Sequence, residues 1–259
     1  MNGAAVREGD LRVTLTGAGT YRLPWRPAEF EPVAGYRFTH RMFFENDGFN
    51  QQNHQPFLSL SRRIGEDLSL SVRYDHTTSL SGNGLDLFVR QHGGSVTGLY
   101  RLASGDLLRG GYSLIWSNFN NVDDDDNLTN AVAMSWTRPD AGAPENAFTL
   151  GGRLALVSAE AQSSAHSAIS IFAARETEID GWFTLTAQVL AGRAQFNDDD
   201  PVDNIRRKDT TFSGSVVARR ELGHNLFLNG NLSVTRVIST IDRIDRTSAV
   251  IGAGLRLNF

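Results

Sequence analysis

The sequence predicts an all-β fold, a closed antiparallel up-and-down β-barrel, on three observations. Apolar and polar residues alternate with a period of two almost from end to end, which is the spacing of side chains that point to opposite faces of a strand. Tight turns alternate with longer polar loops, the rhythm of a meandering antiparallel sheet. No segment shows helical spacing or approaches the roughly 20 apolar residues of a membrane-spanning helix. The chain has 259 residues, 40% hydrophobic and 21% charged, which excludes a disordered or collagen-like polymer. The absence of cysteine removes disulfide frameworks, thiolate zinc sites and cysteine nucleophiles together. A net charge of −4, with Lys208 the only lysine, weighs against nucleic acid as a partner. Met1 to Asp10 lacks a charged-then-apolar signal segment. It reads as an extension or linker over 1–10, ahead of a barrel over 11–259, in a chain that is a mature form, a fragment or cytoplasmic.

Along the chain, Leu11, Val13, Leu15, Tyr21 and Leu23 alternate with Arg12, Thr14, Thr16, Thr20 and Arg22. Ala34, Tyr36, Phe38 and Met42 alternate with Arg37, Thr39 and Arg41. Leu68, Leu70, Val72 and Tyr74 oppose Ser69, Ser71, Arg73 and Asp75. Leu108, Tyr112, Leu114 and Trp116 oppose Arg109, Gly111, Ser113 and Ser117. Phe148, Leu150, Leu154 and Leu156 share a face against Thr149, Gly151 and Arg153, and Phe183, Leu185, Ala187 and Val189 oppose Thr184, Thr186 and Gln188. Phe212, Val216 and Ala218 oppose Ser213, Ser215 and Arg219, while Leu228, Leu232 and Val234 oppose Asn229, Asn231, Ser233 and Thr235. The last run is the most regular: Ala249, Ile251, Ala253, Leu255, Leu257 and Phe259 against Ser248, Val250, Gly252, Gly254, Arg256 and Asn258. Weaker strands are expected near 54–63, 89–102, 128–137 and 168–176. Tight turns are expected at Gly65-Glu66-Asp67, Ala103 to Asp106 and Leu222 to Asn225, and long loops at 118–127, 158–167 and 197–209.

The polar stripe decides between a soluble sandwich and a membrane barrel. A sheet face in bulk water is rich in Lys, Glu and Thr. Here it is mostly Ser, Thr, Gly, Asn and Arg, and the acids sit in loops and turns. An apolar stripe of six positions, at roughly 3.3 Å per residue and a tilt near 40°, crosses the ~25 Å apolar band of an outer membrane. Aromatics gather at expected strand ends, among them Phe43, Phe44, Trp116, Phe119, Trp136, Phe148, Trp182, Phe183, Phe212 and Phe259, as interfacial girdles require. Lipid satisfies no open sheet edge, so such a sheet must close. A soluble lipocalin-like or sandwich protein is the alternative, but its edges would have almost no lysine to guard them.

The run Gly254-Leu255-Arg256-Leu257-Asn258-Phe259 resembles the C-terminal strand of bacterial outer-membrane proteins. That resemblance implies that Leu255, Leu257 and Phe259 form a signal read by the barrel-assembly machinery of a gram-negative outer membrane. The stretch Tyr36 to Tyr74, with its FN..NH..FLSLSRRIG...SLSVRYDH wording, also resembles the barrel that follows periplasmic tetratricopeptide repeats in some gram-negative surface proteins. It implies a repeat domain upstream as a partner.

Thirteen strands are visible, whereas single-chain bacterial barrels have an even number. About fourteen strands are therefore expected, in a range of 12–14. One strand could be missing upstream of a fragment. Leu85 to Gln91 could form a separate strand, with His92-Gly93-Gly94 as a turn. Or the first segment could lie outside a twelve-strand wall.

Seven arginines share the polar register and define a basic lumen: Arg63, Arg73, Arg101, Arg109, Arg153, Arg219 and Arg256. Rings of arginine in a pore favour anions. The competing reading is structural, with these side chains paired to acids such as Asp75, Glu66 and Asp106. The acidic runs Asp123, Asp124, Asp125, Asp126 and Asp198, Asp199, Asp200 are weak candidates for Ca²⁺ or Mg²⁺. Their spacing does not match a twelve-residue calcium loop, and solvated loop charge explains them. An outer-membrane lipid hydrolase would need a Ser beside a His on the outer wall. The pairs available are His76 with Ser79, His92 with Ser95 and His166 with Ser167, beside loops and outside any recognised motif. His40 and His54 read as rim residues, and Gly93-Gly94 as a turn or bulge rather than a phosphate loop, since no helix follows. The expectation is an outer-membrane pore or export conduit, without catalysis or cofactor, in contact with membrane lipid and lipopolysaccharide. The alternative is a non-channel barrel for anchoring or surface-protein assembly.

Overall fold

The computed structural model describes residues 12–25, 29–44, 47–82, 84–120, 126–223 and 226–257. Among them are thirteen strands in one sheet, ordered β1 to β13 as in the sequence. They are β1 (Arg12–Arg22), β2 (Glu31–Phe43), β3 (Gln51–Ile64), β4 (Leu68–Ser81), β5 (Asp86–Arg101), β6 (Leu107–Phe119) and β7 (Asn127–Asp140), followed by β8 (Ala143–Ala159), β9 (His166–Ile179), β10 (Phe183–Asp199), β11 (Arg206–Gly223), β12 (Leu226–Ser239) and β13 (Arg246–Leu257). The order is linear, and the described strands close no ring. Met1 to Asp10, Asp123 to Asp125 and Phe259 lie outside the described residues.

The weaker strands are full-length members of the sheet, now β3, β5, β7 and β9. Three expectations are corrected. His92-Gly93-Gly94 is no turn, because β5 runs unbroken through it. Gly93 serves close approach instead: a Cβ there would sit 2.8 Å from Asp75 Oδ2. The first segment is not outside the sheet, since β1 pairs with β2 from Arg12–Phe43 to Arg22–Val33. The long loops are shorter than expected, shrinking to 120–126, 160–165 and 200–205. Polar strand ends that read as loop in the sequence stay hydrogen-bonded in the ladder. Phe212 likewise sits well inside β11 rather than at its end. The turn glycines do what the sequence suggested: Gly65 and Gly105 adopt φ of 62° and 86°, which other residues rarely tolerate.

The sheet divides into two compact units. The first holds β1 to β4 and the 84–97 and 113–130 segments of β5 to β7. Its register puts Leu15 and Tyr21 of β1, Tyr36 of β2, Leu58 of β3 and Val72 and Tyr74 of β4 on one face, all exposed. On the other face Phe57 lies over Gly35, filling the space a Cβ would occupy. The second unit holds β9 to β13 and most of β8. Its apolar face carries Leu150, Leu154 and Leu156 of β8, Ile169 and Ile171 of β9, and Val189 of β10. It continues with Val216 of β11, Leu232 of β12, and Ile251 and Leu255 of β13. Phe172 covers Gly151 on the opposite face, a Cβ there meeting its ring at 2.5 Å and Met134 O at 2.8 Å.

The hydrophobic side chains therefore point out. Leu255 is 69% exposed and Ile251 84%, whereas the buried hydrophobics among the described residues are only Val89, Ala131, Ala165, Phe196 and Ile241. Soluble monomers rarely expose contiguous apolar patches of more than a few hundred Å².

Candidate functional site

The polar face of the first unit contains a cleft of about 440 Å³. It is built by residues two apart on adjacent strands. The β3 sequence Gln51-Gln52-Asn53-His54-Gln55 sends Gln51, Asn53 and Gln55 to one side. Opposite them stand Arg37 and Thr39 of β2, Thr77 and Ser79 of β4, and Gln91 of β5. Val89, Phe88 and Phe119 complete the lining, the two phenyl rings edge to face at 5.6 Å. Protein partners fix one end of three amides. Arg41 donates to Gln51 Oε1 at 3.0 Å. Gln55 Nε2 donates to Asp75 Oδ1 at 2.7 Å, and Gln91 Nε2 to Ser117 Oγ at 3.0 Å. Asn53 Oδ1 is buried and has no partner among the described residues. Amides at alternate positions of one strand are the sequence signal for this cluster, and they carry neither charge nor nucleophile to single it out.

The arginines expected in the lumen fall in the polar register, with differing company. Arg73 lies 3.9 Å from the centre of the Phe57 ring and pairs with Asp75 at 3.4 Å. Arg219 stacks over Phe227 at 4.1 Å. Arg63 donates to the main-chain carbonyl of Glu66 at 2.7 Å, not to its carboxylate. Arg101, Arg109 and Arg153 form no ion pair among the described residues. Arg256 lies opposite Phe227 in the β12–β13 ladder. The arginines are spread over both units rather than gathered into one site.

Asp106 is not the partner of a polar-face arginine, as the sequence suggested. It accepts from Trp136 Nε1 at 3.0 Å and from Arg138 Nη2 at 3.1 Å. Trp136 and Arg138 are two apart on β7 and so share a face with each other. The Arg138 bond holds the Asp106 carboxyl below the usual carboxylate range.

Of the acidic run 198–200, Asp200 is the member that forms an ion pair among the described residues. Asp200 accepts from the main-chain N–H groups of Val202 and Asp203 and from Arg243, which also reaches Asp203 at 2.8 Å. Burial opposes its ionisation, but these donors together hold its carboxyl below the ordinary range. Asp198 binds the N–H of Asp199, and Asp126 accepts from Asn118 Nδ2 and Phe119 N, both at 2.6 Å. Among the described residues no group of three metal-ligating side chains converges.

The three Ser–His pairs lie in β4, β5 and β9, with His166 and Ser167 at the start of β9 beside the 160–165 loop, and the two members of each pair have an odd sequence offset. Their members therefore face opposite sides of the sheet. His76 meets Thr78 Oγ1 at 3.1 Å and His166 meets Ser164 O at 2.9 Å.

No protein-family model matches the chain, and no curated protein does. Among solved structures it is similar to the alcaligin outer membrane receptor FauA from Bordetella pertussis, with a TM-score of 0.40 and 12% identity. The match covers 95% of this chain and 55% of that receptor, so this chain spans about half the receptor's length.

Proposed function

We propose that this sheet is the wall of an outer-membrane β-barrel that serves as a pore or export conduit, its apolar face against lipid and its polar face lining a wet interior. One observation carries the reading: the large hydrophobic side chains of strand after strand are exposed on one face, and the opposite face offers no apolar core to pack against. A soluble sheet would bury that surface against a second layer. In a bilayer it faces hydrocarbon, and closure satisfies the edge strands. The small residues of the polar stripe, such as Ser113, Ser213 and Gly252, leave room for water. Arg101, Arg109 and Arg153 supply unpaired positive charge for an anion-favouring path. Leu255, Leu257 and Phe259 are the proposed contact with the assembly machinery.

The test is planar-bilayer recording on the refolded chain. Discrete conductance steps with anions passing preferentially are expected. A chain that stays soluble and monomeric without detergent would overturn the membrane reading, and steps without anion preference would remove only the arginine part.

A further inference from the structure

The geometry points to the cleft on the polar face of β2 to β6 as a binding site for a neutral, polyhydroxylated ligand, an oligosaccharide segment. The inference deepens the conduit reading and rests on it for one thing, the access of solute to that face. The ligand class follows from the donors and acceptors present. Amides carry both in one group, and so match hydroxyls, which do the same. Gln51, Gln55 and Gln91 are each held at one end by Arg41, Asp75 and Ser117. Their other ends have no partner among the described residues, which leaves a donor or acceptor free on each of these lining amides. The buried Asn53 Oδ1 lacks a donor, and such an acceptor is expensive to leave unmet.

Charge excludes the main competitor. Recognition of phosphate or sulfate draws on several cations, above all bidentate arginines, and Arg37 is the only charged side chain of the lining. The volume of about 440 Å³ lies within the roughly 300–1,000 Å³ of small-molecule clefts. Phe88 and Phe119 supply apolar surface at one side, suited to the CH-rich face of a sugar ring.

The experiment is calorimetric titration of the refolded full chain in detergent with maltohexaose and a dextran oligomer as neutral probes and dextran sulfate as the anionic one. Saturable binding of at least one neutral probe is expected. Gln91→Leu and Asn53→Leu are each expected to weaken it at least tenfold, and Ser213→Leu, on the polar face of the other unit, to leave it unchanged. Thr39→Val, close in shape to the native residue, keeps the test open if a leucine variant misfolds, with a threefold or greater loss expected. Binding of dextran sulfate alone would overturn the inference, as would neutral binding indifferent to all three cleft substitutions. Absence of any binding in a chain with normal conductance steps would overturn it while leaving the conduit reading in place. Loss of the conduit reading shows separately, as detergent-free solubility without conductance.

Discussion

Two patches of the apolar face solve the same problem differently. On β2 to β6 of the first unit, two tyrosine hydroxyls meet imidazoles, while the buried Nδ1 atoms of His40 and His76 have no partner among the described residues. Tyr36 Oη meets His54 Nδ1 at 2.5 Å, and Tyr74 Oη meets His92 Nδ1 at 2.8 Å. His92 stacks on Trp116 at 5.5 Å, and four of the chain's six histidines, His40, His54, His76 and His92, belong to these strands. In the second unit, around β7 to β9, the equivalent work is done by charge. Asp106 holds Arg138 and Trp136, Asp140 holds Arg175, and Trp136 meets Phe148 edge to face. Tyr and His bridge an apolar body to a polar tip and cost little to desolvate. Arg–Asp pairs must keep water or each other close. The difference is one of place as well as chemistry: Tyr36, Tyr74 and His92 sit within their strands, whereas Trp136, Arg138 and Asp140 sit where β7 ends.

The largest effect expected is on the apolar stripe of β13 in the second unit. Leu255→Arg should destabilise refolding into bilayers by roughly 2–4 kcal/mol, as arginine does at the midplane of a barrel's lipid face. Urea titration in phosphatidylcholine vesicles measures it, and a neutral result would show that this stripe meets no lipid. Next comes the inner side of the second unit. Gly151→Ala drives a methyl group toward the Phe172 ring and the Met134 carbonyl, and overpacking of this kind costs about 1–3 kcal/mol. The backbone carbonyl has less freedom to yield than a ring tip, so the double variant Gly151→Ala with Phe172→Leu should recover only part of the loss in the same titration.

Both substitutions target features the sequence displays to different degrees. The β13 alternation around Leu255 is legible because period two fixes the face of every side chain once a single strand is recognised. The same logic makes Gln51, Asn53 and Gln55 co-facial on β3, although that strand reads weakly when polar residues occupy both of its faces. The Gly93-Gly94 pair misleads because glycine marks both chain reversal and close backbone approach, and only the position of Asp75 on β4 tells them apart. Asp106 was equally opaque. Its partners Trp136 and Arg138 are about thirty residues away, brought near by strand register, which no local pattern encodes.

The charged patch carries a pH signature. Because the folded-state pKa of Asp106 is depressed by its bond to Arg138, its contribution to stability is fully present above the ordinary carboxylate range and is lost as pH falls through the lowered folded value. Midpoints of heat-induced unfolding in detergent should therefore fall on acidification, and Asp106→Asn should flatten that fall relative to the wild type. An unchanged pH slope would show that the Trp136 and Arg138 contacts do not persist in solution.

The neutral patch should respond least. Tyr36→Phe removes one hydroxyl from His54, and a typical net hydrogen bond is worth about 0.5–1.5 kcal/mol, with the exposed position of Tyr36 placing it toward the lower end. Tyr74→Phe leaves His92 its contacts with His76 at 4.6 Å and Trp116 at 5.5 Å, so ring packing should hold the imidazole in place and the loss should be no larger than at Tyr36. His54 has Phe38 at 5.1 Å as its remaining aromatic neighbour besides Tyr36, and its imidazole should reorient when the hydroxyl is gone. NMR titration of the two imidazoles reads this directly. A larger chemical-shift change at His54 in Tyr36→Phe than at His92 in Tyr74→Phe is expected, and the reverse order would mean that the hydroxyls, not the stacked rings, hold this patch together.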